Sequence, residues 1–502
     1  MKSLGPVAGL LAVLLSITPS WSQQTPAVCR YPGCNSTGSD INGNTAGGLG
    51  ALLNVDGGAN GGFRNTAFGA LTLSGTFIAS NNTAFGFSAL ANPQTNNTGD
   101  ANTAIGSLSL QANTTGVANT ANGAYTLSNN TTGSYNAANG FQVLYSNTAG
   151  GGNTATGANA LYYNSTGDDN TATGALALFS NTTGLRNTAT GGSAMQSNTS
   201  GEENSAHGHQ ALYFNTVGYH NTASGADALY NNTTGADNTA TGAFALWSNA
   251  TGVSNTATGV AALENNTIGN NNTAVGINAH QANVTGNGNA AIGGFALASN
   301  TDGSNNTAVG FKALKKSTGT KNIGIGYQAG VTLTTGNNNI HIGNQGVGNE
   351  SQVIRIGTGQ VHTFIAGINA AGVSGTAVVV DANGQLGVTL SSARYKKDIE
   401  TMASRSEALL KLRPVTFSYK DDTSAAPHYG LIAEEVATVY PELVTRTASG
   451  EVQTVKYHEL IPMLLNELQR EHQNVATLKQ ELAELATLRA ELAELRALVG
   501  PQ

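Results

Sequence analysis

Charge is scarce in this chain. Only 10% of its 502 residues are charged, and the net charge is −7. Between residues 65 and 311 the single basic residue is Arg186. There is no basic stripe to track a phosphate backbone, which argues against a nucleic-acid partner. No paired carboxylates fall in a recognisable sugar-cleaving arrangement, and no residue set points to a cofactor or a metal. Cysteine is nearly absent. Cys29 and Cys34 are the only two, and a close pair in an exported chain suggests a small disulfide loop. A pair of free thiols is the other reading.

Long apolar runs are missing too, with one exception. Lys2 precedes the run Val7 to Ile17, which ends in Thr18-Pro19-Ser20-Trp21-Ser22. A positive start, a short apolar core and small residues at a candidate cut make a signal peptide over 1–22, cleaved after Ser22. The run is short for a membrane span, and no other stretch approaches one. A secreted or cell-surface protein with no membrane span after processing is expected.

What fills the chain instead is a repeat. Asn153-Thr154-Ala155-Thr156-Gly157 recurs at Asn170, Asn187, Asn204, Asn221, Asn238, Asn255, Asn272, Asn289 and Asn306, with a step of 17 residues. The series extends back to Asn65 and forward to Asn339. Many units carry Ala-Leu, as at Ala160-Leu161 and Ala177-Leu178, followed by an Asn-Thr-Thr-Gly-like turn. The unit is too short for two helices and is rich in turn residues. It predicts a mainly β chain: a β-solenoid over 61–343, after an N-terminal segment 23–60. About seventeen coils at about 4.8 Å each give a rod of roughly 80 Å, with asparagines stacked as a side-chain ladder.

Strand side chains alternate, so the second and fourth positions share a face. They are Ile323 with Ile325 and Ile340 with Ile342 near the end, and Thr154 with Thr156 in the centre. The apolar members assign this face to the interior. A Thr-lined core is thin for one chain, which favours a homotrimer sharing it. The Asn-x-Ala-x-Gly pattern resembles the trimeric β-roll heads of YadA-type adhesins, though the repeat here is longer and that family's C-terminal barrel is missing. Ice binding by an exposed Thr-x-Thr array is a minor alternative. His207, His209 and His220 fall in neighbouring coils, where ordinary solvated histidines are the simpler reading and an anion or metal held around an axis the other. Any cell-surface or glycan ligand of the rod is unknown.

Past Asn344 the repeat dissolves into a β neck (344–390), a mixed α+β domain (391–466) and a helical tail (467–499). Val475, Leu478, Leu482 and Leu485, then Leu488, Leu492, Leu495 and Val499, follow coiled-coil spacing with one stammer.

At the head of the α+β domain, Ser391 and Lys396 stand five residues apart. Lysine can serve as base to a serine when burial makes it neutral, and no histidine is then needed. The Ser391 hydroxyl can reach the Leu390 carbonyl through a five-membered ring. An N-to-O acyl shift and hydrolysis would part Leu390 from Ser391. By spacing alone an exposed polar linker is the commoner explanation.

The series Ser391-x-x-Arg394-x-Lys396-x-x-Ile399, Leu412-Arg413-Pro414-Val415, His428-Tyr429-Gly430-Leu431-Ile432-Ala433-Glu434-Glu435-Val436 and Tyr440-Pro441-Glu442-Leu443-Val444 resembles the intramolecular chaperone domain called peptidase S74, found at the C-terminus of phage tailspikes, endosialidases and tail fibres. The resemblance implies a trimerising chaperone that folds the upstream fibre and releases itself by one Ser–Lys self-cleavage. By position Ser391 is the nucleophile and Lys396 the base. Ser392 stands where many members have Asp, so Ser392 with Lys397 forms a second pair at the same spacing. If the dyad is inactive, the domain is instead a permanent trimerisation cap.

Overall fold

The computed structural model describes residues 38–39, 42–52, 62–75, 78–92, 98–365, 375, 377–381, 384–420, 426–447 and 449–500. The signal peptide 1–22 and the Cys29/Cys34 pair lie outside them. Contacts divide the chain into two units, 1–363 and 364–502.

The first unit is a β-solenoid built on a 20-stranded sheet. Apart from the two-residue Gly38–Ser39, which pairs antiparallel with Thr45–Gly47, its strands are three-residue rungs paired in parallel: Thr154 sits on Thr171, Ala155 on Ala172 and Thr156 on Thr173. The same register runs from Thr45–Gly47 to Ile354–Ile356. Ile354–Ile356 lies in the stretch expected to be neck, but it pairs with Ile340–Ile342 as the last rung.

The coil 153–169 shows why the repeat has this composition. Each strand turns a corner at a glycine: Gly157 has φ +128°, and a Cβ there would lie 2.5 Å from the Gly174 carbonyl oxygen. Only glycine fits such a corner. Asn159 and Leu161 follow with φ of 58° and 51°. A left-handed leucine costs about 1–2 kcal/mol. Leu161 is fully buried, which contributes about 1.5–3 kcal/mol and offsets that strain. Its N–H donates to the Ala177 carbonyl at 3.0 Å.

The interior differs from the one expected. Ala155, Ala160, Leu161, Asn153 and Asn164 are fully buried. Thr154 and Thr156 are exposed. Ile325 and Ile342, at the same strand position, keep 41% and 38% of their surface. Positions two and four do share a face, but it points outward from the coil. The physical reason is width. The coil is so narrow that Ala at position three, the Ala-Leu pair and two asparagine amides fill it. The wider Thr, Val, Ile and Phe side chains stand outside as one strip along the rod.

The rod ends on a polar plug. His341 takes the buried alanine position of its rung, and its Nε2 lies 2.7 Å from Glu350 Oε1. Arg355 Nη2 lies 2.8 Å from Glu350 Oε2, and the Val347 N–H donates to Glu350 at 2.9 Å. Burial raises the Glu350 pKa, but the bonds from Arg355, Val347 and His341 outweigh it and hold the carboxyl below its ordinary range.

The second unit holds three antiparallel hairpins: Val378–Val380 with Leu386–Val388, Val415–Phe417 with His428–Gly430, and Val444–Arg446 with Val452–Val455. Helix α1 spans Ala433–Val439 and helix α2 spans Tyr457–Val499. A small core gathers Leu409, Val436, Tyr440, Leu443, Val444, Val455, Leu460 and Met463. Beyond this core, Leu478, Leu482, Leu485, Leu488, Leu492 and Leu495 on α2 are all exposed. No helix among the described residues is long and apolar enough to cross a membrane.

Candidate functional site

Ser391 lies three residues beyond the hairpin strand Leu386–Val388. Ser392 is extended (φ −63°, ψ 138°) and opens a 3₁₀ turn, Ala393–Tyr395, that Lys396 closes. The turn is held by Tyr395 N–H donating to the Ser392 carbonyl at 3.0 Å and Lys396 N–H to the Ala393 carbonyl at 3.1 Å. The Arg394 guanidinium stacks over the Tyr395 ring at 4.7 Å. Leu390, Ser391, Ser392, Lys396 and Lys397 are all exposed. The turn thus carries both candidate pairs on one short loop, where a water molecule can reach the Leu390–Ser391 bond.

The loop is followed by a rigid support. A 3₁₀ segment, Ala403–Lys411, packs on α2. Its buried Ser406 donates to Glu467 Oε1 at 2.5 Å, and Asn466 Nδ2 donates to the Ala403 carbonyl at 2.9 Å. Arg470 pairs with Glu467 at 2.9 Å and also with Glu407. Tyr440 Oη donates to the Arg405 carbonyl at 3.1 Å. Leu412 and Tyr440, from two of the sequence motifs, therefore pack in this platform. Arg413 pairs with Glu435 of α1 at 2.5 Å.

The three histidines are not brought together. His207 stands at the outward fourth position of its rung. His220 sits at another edge of the coil, with Nε2 3.0 Å from Glu203 and Nδ1 3.2 Å from Asp237. Arg186 adds a contact to Glu203 at 2.7 Å. Arg186, Glu203, His220 and Asp237 are spaced by the repeat, so this charge ladder was visible as a 17-residue spacing that the sequence reading passed over. No cluster of three or more His, Cys, Asp or Glu side chains able to hold a metal forms among the described residues.

Two other features escaped the sequence reading. His280 replaces the inward leucine of its coil and is fully buried. Aromatic side chains stack along the rod: Tyr145 on Tyr162 on Phe179 at 5.1 and 5.3 Å, and Tyr213 on Tyr230 on Trp247 at 5.2 and 5.9 Å. The signal for the stacks was aromatic identity at the repeat spacing.

Comparison with known proteins places one family on this unit. Residues 391–445 match the peptidase S74 model, described as chaperone of endosialidase. No curated protein and no solved structure matches the chain.

Proposed function

We propose that the chain is an exported trimeric fibre whose C-terminal domain drives assembly of the rod and then cuts itself free before Ser391. The observation that carries this reading is the family match, which begins at Ser391 itself. Two surfaces left open on the single chain support three copies. One is the outward strip of Thr, Val and Ile along the rungs. The other is the leucine seam of α2, which has coiled-coil spacing. The leucine seam and the Val and Ile rungs near the end of the rod are the kind of apolar surface that a monomer rarely exposes.

The chemistry is one turnover. Lys396 Nζ, neutral once trimer contacts bury it, takes the Ser391 hydroxyl proton. Ser391 Oγ adds to the Leu390 carbonyl carbon, the C–N bond breaks, and the proton passes to the departing Ser391 amine. The resulting Leu390 ester is hydrolysed by water to a free Leu390 carboxylate and the Ser391 hydroxyl.

The test is the mass of chain 23–502 beside Ser391→Ala and Lys396→Ala, by denaturing gel and intact mass. A C-terminal piece starting at Ser391 in the wild type, with both variants whole, is the expected result. Three full-length folded trimers would instead make the domain a permanent cap. Cutting that survives Ser391→Ala would move the role to Ser392 and Lys397.

A further inference from the structure

The repeat writes Asn-x-Ser/Thr acceptor sites into the rod many times over, and among the described residues burial sets two classes of them apart. In the first class the asparagine belongs to the Asn-Thr-Thr-Gly turn. Asn164, Asn181, Asn198 and Asn232 are fully buried, and both amide hydrogens of each are used. Asn164 Nδ2 donates to Asn147 Oδ1 at 2.8 Å and to the Gly167 carbonyl at 3.0 Å. Asn181 repeats this with Asn164 at 2.7 Å and Gly184 at 2.9 Å. In the second class the asparagine faces water: Asn129, Asn265, Asn271 and Asn305 are exposed.

We propose that the buried-amide ladder makes the rod incompatible with N-glycosylation, so that this chain reaches its folded state only by an export route that does not glycosylate it. A glycan bonded to Nδ2 replaces one of the two donated hydrogens and puts a bulky polar group where there is no free surface. The coil then loses a buried hydrogen bond, strands the Oδ1 of the coil before it, and cannot stack. Because the acceptor is read on the unfolded chain, one modified turn blocks every coil that must close on it. The exposed class carries no such penalty.

The two classes can be separated chemically. The acceptor signal needs the hydroxyl two residues on. In the buried class this residue (Thr166, Thr183, Ser200, Thr234) is exposed, and its hydroxyl makes no hydrogen bond within the rod. Substituting it removes the signal and leaves the ladder intact.

The full chain is secreted from a glycosylating eukaryotic cell, with and without an inhibitor of N-glycan transfer. It is compared with a variant carrying Ala at Thr115, Thr132, Thr166, Thr183, Ser200, Thr234, Thr251 and Thr285. The readouts are protease-resistant rod in the medium and glycopeptide mapping. The wild type is expected to be retained without resistant rod, carrying glycans at Asn164 and its equivalents. The inhibitor and the variant should each restore the rod, the variant with glycans only at exposed sites. A protease-resistant rod glycosylated at Asn164 or Asn181 would overturn the proposal. So would a wild type that stays unfolded under the inhibitor although the same chain from a bacterial host folds.

Discussion

Asn170 donates from Nδ2 to Asn153 Oδ1 at 3.1 Å, and the same oxygen accepts the Asn170 backbone N–H at 3.0 Å. From Asn102 to Asn289 each rung asparagine therefore satisfies its successor twice and closes the next turn through its own amide, here on the Gly184 carbonyl at 2.9 Å. Replacing Asn170 by Ala removes Oδ1 from a dry interior, stranding the Asn187 backbone N–H that donates to it at 3.0 Å and taking one of the Asn187 Nδ2 partners at 3.1 Å. At about 1–3 kcal/mol for each stranded group, the loss is large against one coil's stability. Urea unfolding followed by circular dichroism should show a lowered midpoint. Limited proteolysis should find the first cut near residue 170. Thr171→Ala, which touches only the outer strip, should leave both unchanged.

The corner glycines have a second, steric role. Gly174 sits at φ +133°, and a Cβ there would come within 2.5 Å of the Gly191 carbonyl oxygen. Backbone on both sides is fixed by the ladder, so neither party can yield. Gly174→Ala is expected to cost more than about 2 kcal/mol and to break the stack at one coil. Gly192→Ala is the control, because the only nearby atom is an imidazole carbon of His209 at 3.7 Å.

His280 gives the rod an acid-sensitive point. Neither ring nitrogen has a hydrogen-bond partner. Burial pushes its pKa down from 6.5 to about 4, against a smaller opposing pull from the nearby Asn300 amide. The unfolded chain therefore binds a proton at higher pH than the folded chain does. Stability is unaffected above about pH 6.5 and falls as pH drops toward 4, by roughly 3 kcal/mol in all at 1.36 kcal/mol per unit. His280→Leu restores the repeat's usual residue and should remove that part of the pH dependence. Thermal melts of both chains between pH 7 and 4 check it. Parallel slopes would show that the acid sensitivity comes from elsewhere.

Glu350 titrates with the opposite sign. Its folded pKa is lowered by Arg355, Val347 and His341 despite burial. Its contribution is present above the ordinary carboxylate range and lost as pH falls through the folded value. Removing the carboxylate leaves His341, fully buried, without its partner. Glu350→Ala should cost about 3–5 kcal/mol and expose the last rungs to exchange. Hydrogen exchange at Ile340–Ile342 is the direct measurement.

The repeat made much of this fold legible. The 17-residue step places one rung on the next, and the Asn, Gly and Ala-Leu positions each have one local role. What the sequence left ambiguous was which face is inside. Alternation defines two faces without saying which is wet, and Ile and Phe at the end coils pulled the assignment the wrong way. The deciding quantity is the cross-section of the coil, set by left-handed residues such as Leu161, and no periodicity reports it. The candidate site was legible for a different reason. Ser391 and Lys396 lie close in sequence, so a motif could carry them. What surrounds Lys396 beyond its own loop is a matter of three-dimensional packing, which a linear motif does not display.

The outward strip gives the sharpest test of assembly. Ile292 stands at the fourth position of its rung with 43% of its surface exposed, beside Val275 and Val309 in register. If the strip is where three chains meet, Ile292→Glu puts three carboxylates against apolar neighbours. A buried, unpaired charge is costly, so the trimer should dissociate or fail to form. The single coil itself should be untouched, because that side chain contributes nothing to its interior. Sedimentation velocity reads the assembly state, and circular dichroism reads the rod. A folded monomer is the expected outcome. A trimer as stable as the wild type would move the interface off the strip and leave the helical seam of α2 as the surface that joins the chains.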